Sequence, residues 1–142
     1  METQLPDLSA LDAFARSFAR RLGPGSTVAL HGRLGAGKTT LVRALLRVLH
    51  GSDGAVSSPS FVFRQRYAGE PPVEHLDLYR IDDPRELDEL GLEDAFGPDC
   101  ITLVEWAERA PAVLPIGTIE LAIAGSGEGP RTIVVTGGPH VR

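Results

Sequence analysis

The chain carries one lysine, Lys38, and it stands inside the string Gly32-Arg33-Leu34-Gly35-Ala36-Gly37-Lys38-Thr39. This string fits G-x-x-x-x-G-K-[ST] at every position, the pattern of a phosphate-binding loop. The chemistry needs each residue type. Glycines permit backbone conformations that turn successive N–H groups toward one point, forming an anion-binding nest. A helix that starts at the loop adds its positive N-terminal end. Lys38 would reach the β- and γ-phosphates of a nucleotide, and the Thr39 hydroxyl would hold Mg²⁺. The plain alternative is a glycine turn between strand and helix, but with this composition a chance match has a probability of roughly 0.001. Thirteen arginines accompany the single lysine, so arginine serves wherever a positive charge suffices. A site between two phosphates is a reason to keep a compact ammonium in place of a wide planar fork. With no nucleotide bound, Lys38 is expected to be at least partly exposed. ATP is favoured over GTP by exclusion, because the guanine-selective N-K-x-D element needs an asparagine and the chain has none.

Turnover also needs a carboxylate near the metal or the attacking water. Asp77 lies near the C-terminal end of the run His75-Leu76-Asp77-Leu78-Tyr79, and Glu105 ends the mainly apolar run Ile101 to Val104. Ligands of α/β sheets gather at the carboxyl ends of strands, so both acids are candidates to face the loop. Either would contact Mg²⁺, directly or through water, while the other orients the water. For both the plain alternative is an ordinary strand residue. Ser57, Ser58 and Ser60, around Pro59, would sense a γ-phosphate or simply shape a loop. Trp106 reads as a core or partner anchor. His31, His50, His75 and His140 show no metal-ligand spacing, so no zinc site is assigned. Asp82 and Asp83 beside Arg80 suggest a surface ion pair, and no arginine finger is identifiable.

The elements that must position these groups follow from periodicity. Leu11, Phe14, Ala15, Phe18, Ala19 and Leu22 recur at helical spacing and predict a helix over 8–22, capped by Asp7 or Ser9 and stopped at Gly23-Pro24-Gly25. Thr27 to His31 reads as a buried strand that leads into the glycine loop. Gly37 to His50 reads as a helix with Leu41, Leu45, Val48 and Leu49 inward and Arg43 and Arg47 outward. Phe61 to Tyr67 and Val73 to Tyr79 predict an antiparallel hairpin turning at Ala68-Gly69-Glu70-Pro71. Asp83-Pro84-Arg85-Glu86 opens a short helix running to about Leu90, with Asp83 as its cap and Pro84 at its first position. A second short helix is placed at Leu92 to Phe96. Ile101 to Val104 is a buried strand, and Thr118 to Ala124 with Arg131 to Thr136 form two alternating strands around a glycine-rich turn. The whole, residues 1–142, reads as one α/β domain with a mixed, partly antiparallel sheet and flanking helices.

Composition narrows the partners. The formal charge is −5 and no run of Lys or Arg occurs, which argues against direct grip on a nucleic-acid backbone. No stretch of about 18 apolar residues is present, the N-terminal METQLPDLSA lacks the parts of a secretory signal, and the single Cys100 makes no internal disulfide. A cytoplasmic setting is the expectation.

Four strings together carry a family resemblance: LGAGKTT at Leu34 to Thr40, SPSF at Ser58 to Phe61, HLDLYR at His75 to Arg80 and LVEWAER at Leu103 to Arg109. In order and spacing the chain resembles the TsaE (YjeE) proteins, bacterial ATPases required to make threonylcarbamoyladenosine beside the anticodon of tRNAs reading codons that start with A. The resemblance covers nearly the whole chain. It implies a small phosphate-loop NTPase fold, with ATP and Mg²⁺ as cofactors. It implies docking on a TsaD–TsaB pair, in which TsaD transfers the carbamoyl group and hydrolysis by this subunit resets the complex. Contact with tRNA would be indirect, through that complex, in keeping with the acidic charge. On the LGAGKTT string the implied cofactor-binding residues are Gly35, Ala36, Gly37, Lys38, Thr39 and Thr40, with Lys38 at the phosphates and Thr39 at the metal. Glu105 corresponds to the family's magnesium-associated acid, Asp77 to its second essential acid, and Arg131 falls near a region that flanks the nucleotide. Many members have threonine after the Ser-Pro pair, where this chain has Ser60, keeping the hydroxyl and losing the methyl. Two other readings compete: a small-molecule kinase, which would add an acceptor pocket and an Arg-bearing lid, and a nucleotide-sensing module with negligible turnover. The missing arginine finger predicts weak ATPase activity by the isolated protein and dependence on its complex.

Overall fold

The computed structural model describes residues 1–51, 64–89 and 95–138. Its strands, β1 (Glu2–Leu5), β2 (Thr27–His31), β3 (Arg64–Tyr67), β4 (Val73–Asp77), β5 (Ile101–Glu105), β6 (Ile119–Ala124) and β7 (Arg131–Gly137), form one sheet in the order β1-β7-β6-β2-β5-β4-β3. The four central strands β6, β2, β5 and β4 are mutually parallel, while β3, β7 and β1 join antiparallel at the edges. The mixed sheet expected from sequence is therefore present, and β2 lies inside it with a parallel neighbour on each side.

Strand alternation assigns the two faces. Val28, Leu30, Val73, Ile101, Leu103, Leu121 and Ile123 point to one side, where α1 (Leu8–Ala19) and α2 (Lys38–His50) cover them. Ala29, Leu76 and Val104 point to the other, under Ile81, Leu87, Ala107 and Ala110. Asp7 caps α1 by accepting from the Ala10 N–H at 2.9 Å, as its sequence position suggested. In α2 Leu41 and Leu45 are inward as expected, but Val48 is 40% exposed and Val42 and Leu46 are buried in its stead. The helix packs on α1 and shares one buried core with the sheet, so its apolar face is wider than a single stripe and is rotated away from Val48.

The hairpin, β5 and the β6–β7 pair stand where periodicity placed them, except that β4 ends at Asp77 and leaves Leu78 and Tyr79, expected in the strand, outside it; Phe61 to Phe63 of the expected first hairpin strand lie outside the described residues. After Asp83 the capping exchange is reciprocal. Asp83 N–H donates to Glu86 Oε1 at 3.2 Å and Asp83 Oδ1 accepts from Arg85 N–H at 3.0 Å. Pro84 and Arg85 belong to a turn, so α3 starts at Glu86 and not at the proline; it spans Glu86–Glu89. Leu90 and most of the second short helix lie outside the described residues, with Ala95 and Phe96 in a 3-10 turn. Strand β1 was not foreseen: four residues at a sheet edge carry too little periodicity to register, and only pairing with β7 defines them.

Candidate functional site

The glycine loop leaves the C-terminal end of β2 and runs into α2, between the ends of β5 and β6. Gly32 is required by close approach: a Cβ there would sit 2.7 Å from the Ile123 carbonyl oxygen of β6. Gly37 caps α2 with φ of 108°, a left-handed conformation that a side chain would strain. The Ala36 N–H donates to Arg33 O at 3.0 Å, tightening the turn between them.

Lys38 is the first residue of α2 and is only 6% exposed, a correction to the expected partial exposure. Its ammonium donates to the Gly32 carbonyl and lies 3.7 Å from the centroid of the Trp106 ring. The indole supplies a cation–π contact and covers the lysine. Burial lowers the Lys38 pKa below the ordinary lysine value, against the opposing pull of Glu105, Glu108 and Asp77. Trp106 itself has φ of 60° and ψ of 38°, a left-handed conformation costing about 1–2 kcal/mol for a residue with a side chain. Such strain is held by surrounding contacts, here the Tyr79 ring at 4.8 Å and the lysine. Trp106 is partly buried and packs against the second core cluster, in keeping with the core reading from sequence, and it also covers the loop lysine.

Asp77 and Glu105 end β4 and β5, in keeping with their positions in the sequence, and the sheet makes them register partners. Glu105 is 2% exposed; its Oε2 accepts from the Thr39 hydroxyl at 3.4 Å and lies 2.6 Å from His75 Nε2. Asp77 is half-buried, and its Oδ1 accepts from the Tyr79 N–H at 3.0 Å. Lys38, Thr39, Glu105 and Asp77 are therefore brought together. The oxygen donors of Thr39 and Glu105 are of the hard kind that suits Mg²⁺, which takes one or two carboxylates and completes its shell with phosphates and water. Among the described residues no group of three or more His, Cys, Asp and Glu is set to hold a metal.

Arg131 opens β7 and does touch the loop, through carbonyl oxygens. Its Nε donates to Ala36 O at 2.7 Å and one terminal nitrogen reaches Gly35 O at 3.4 Å. The other contacts go to Ser126, Gly127 and Gly129 in the β6–β7 turn. It ties that turn to the loop. Beside it a cavity of about 620 Å³ opens between the start of α1 and the loop, lined among others by Leu5, Leu11, Ala36, Thr40, Ile123 and Arg131. Its volume lies in the ordinary range for small-molecule sites.

Sequence reasoning passed over His75 and Glu108. The signal for His75 was its place in the inward row of β4, between Val73 and Asp77. Buried as it is, its Nδ1 has no hydrogen-bond partner among the described residues, and such a group costs about 1–3 kcal/mol. Ser57, Ser58, Ser60 and His140 lie outside the described residues. Asp83 holds Arg85 at 2.8 Å on the surface.

Fold and site together define an α/β protein of the phosphate-loop class, with a strand–glycine loop–helix unit inside a mixed sheet. A family model described as threonylcarbamoyl adenosine biosynthesis protein TsaE matches residues 5–133, and the chain belongs to the TsaE family. The protein of that name from Haemophilus influenzae is 41% identical over 118 residues, covering 78% of this chain and 73% of the relative. The Synechocystis protein of the same name is 44% identical over 116 residues, with the same coverage of both chains. The crystal structure of Bacillus subtilis YdiB superposes with a TM-score of 0.80 at 29% identity, covering 97% of this chain and 85% of that one. Among the described residues no helix is long and apolar enough to cross a membrane.

Proposed function

We propose that this protein is a Mg²⁺-dependent ATPase of tRNA threonylcarbamoyladenosine synthesis, weak alone and completed by a TsaD–TsaB complex. One observation carries the reading. The Thr39 hydroxyl, at the start of α2, lies 3.4 Å from the carboxylate of Glu105, at the end of a parallel strand. Beside them stands a lysine whose ammonium is held at the loop. The loop N–H groups and Lys38 bind the phosphates. Thr39 and Glu105 hold Mg²⁺, which neutralises phosphate charge when bound. Asp77, one strand over, orients the attacking water. The cavity beside Ala36 and Thr40 takes the base and ribose, with Leu5, Leu11 and Ile123 as apolar walls. Arg131 serves the nucleotide by fixing the loop.

Dependence on a complex has its own support. The guanidinium of Arg131 is engaged by five carbonyl oxygens and is not poised for a transferring phosphoryl group. A charge-stabilising group from a partner would supply what is missing. Family membership supports the choice of partner, tRNA being met through it, and a cytoplasmic site of action follows.

The test is ATP hydrolysis with and without Mg²⁺, by the protein alone and with purified TsaD–TsaB, using Lys38→Ala as the blank. Stimulation by the pair of about a hundredfold is expected, with the blank flat. Rapid turnover by the lone protein, unchanged by the pair, would remove the partner argument. Phosphate appearing on a nucleoside acceptor would favour a kinase, and tight binding with no turnover in the complex would favour a sensing module.

A further inference from the structure

We infer that His75 is a positioning residue for the Glu105 carboxylate: its Nε2–H holds Oε2 and so sets which oxygen faces the metal. The inference rests on the proposed role of Glu105 and adds a second carrier to it.

On the face of the sheet under α2, β4 and β5 begin with apolar residues. Val73, Ile101 and Leu103 are fully buried there, and in the β4–β5 register His75 stands opposite Leu103. Alternation then puts His75 and Glu105 on that same face, two positions apart along the strands. A side chain at this place with packing as its only task would be apolar. The imidazole instead leaves Nδ1 buried without a partner among the described residues, a feature that calls for an explanation.

The explanation lies at the other ring nitrogen. Nε2 is 2.6 Å from Glu105 Oε2, and a carboxylate oxygen accepts there only if Nε2 carries the proton. Two donors thus meet on Oε2, the Thr39 hydroxyl at 3.4 Å and the imidazole at 2.6 Å. The shorter contact comes from the middle of a central strand, the longer one from the first turn of a helix beside the loop. No hydrogen bond from a described residue goes to Oε1. With Oε2 held from within the sheet, the carboxylate cannot rotate freely, and Oε1 is left for the metal or its water. Partners of this kind commonly change metal affinity by about 10- to 100-fold when removed.

The experiment is a calorimetric titration of ADP, without metal and at rising Mg²⁺, on the full chain, with thermal melting alongside. His75→Leu keeps the volume and removes the donor; His75→Gln restores a donor that reaches Oε2. For His75→Leu we expect metal-free ADP affinity within about twofold of the parent and a Mg²⁺ requirement raised about tenfold, with His75→Gln recovering most of the loss. The melting temperature of the leucine variant should stay or rise. Should it fail to melt cooperatively, His75→Asn, whose amide stops short of Oε2, carries the same readout. An unchanged Mg²⁺ requirement in His75→Leu, beside a lost one in Glu105→Gln, would overturn the inference and leave the proposed function standing. A parent protein whose ADP affinity ignores Mg²⁺ would overturn both.

Discussion

Two buried carboxylates sit on the same pair of strands, and their surroundings differ. Glu74, on the far side of the sheet from α2, is fully buried and gripped by two arginines of β3. Arg64 forks it, with Nε at 2.7 Å and a terminal nitrogen at 3.1 Å, and Arg66 adds a third contact. Glu105, on the near side, is as deeply buried but meets a threonine hydroxyl and an imidazole. The Lys38 ammonium beside it is bound to Gly32 O and the Trp106 ring. Glu74 is therefore paired directly with two guanidiniums, whereas Glu105 meets a hydroxyl and an imidazole and feels the Lys38 ammonium without a direct ion pair to it. A carboxylate in the first state secures an edge strand. One in the second state remains available to a cation that the chain itself does not supply.

The contrast can be broken by exchanging the consequences of mutation. The largest effect should come from Glu105→Gln: Mg²⁺-dependent turnover in the complex is expected to fall about a hundredfold, while the melting temperature moves by less than about 3 °C. An amide still accepts from His75 and Thr39, so little of the fold depends on the charge. A variant that unfolds yet keeps its magnesium response would put Glu105 in the same class as Glu74. The converse change is Arg64→Ala, which strips the better-aligned of the two guanidiniums from a buried carboxylate. Its expected cost is about 2 kcal/mol in urea unfolding, with nucleotide binding unaltered. Unchanged stability would mean that Arg66 alone suffices.

The smallest effect sharpens the electrostatics on the Glu105 side. Burial lowers the pKa of Lys38, while Glu105, Glu108 and Asp77 oppose it. Bound phosphates would favour the ammonium further, so the pKa with nucleotide is higher than without. Affinity is then level below the nucleotide-free pKa and falls as pH rises through it. Because that value is depressed, the fall should begin at a lower pH than an ordinary lysine would give. ADP titration from neutral to about pH 10, with melting checked at each step, measures it. A flat profile up to the ordinary lysine range would show that the carboxylates cancel the burial.

Local patterns carried much of this protein in its sequence. The glycine loop, the Asp7 cap and the periods of α1, α2 and the paired strands each depend on neighbours a few residues away. They were legible because backbone sterics and side-chain direction are local properties. That Asp77 and Glu105 stand near the C-terminal ends of strands was legible too, whereas their pairing in register came only with the sheet. Three further features were not legible. Strand β1 exists only because β7 stands beside it, more than a hundred residues on. The burial of Lys38 required the Trp106 ring, delivered by a left-handed turn at the end of β5. The hold of His75 on Glu105, and of Arg131 on Ala36, spans 30 and 95 residues. Type and spacing name the groups that can act, but which of them meet is decided by strand order and register. Those depend on burying the whole core at once, and no short segment of sequence contains that information.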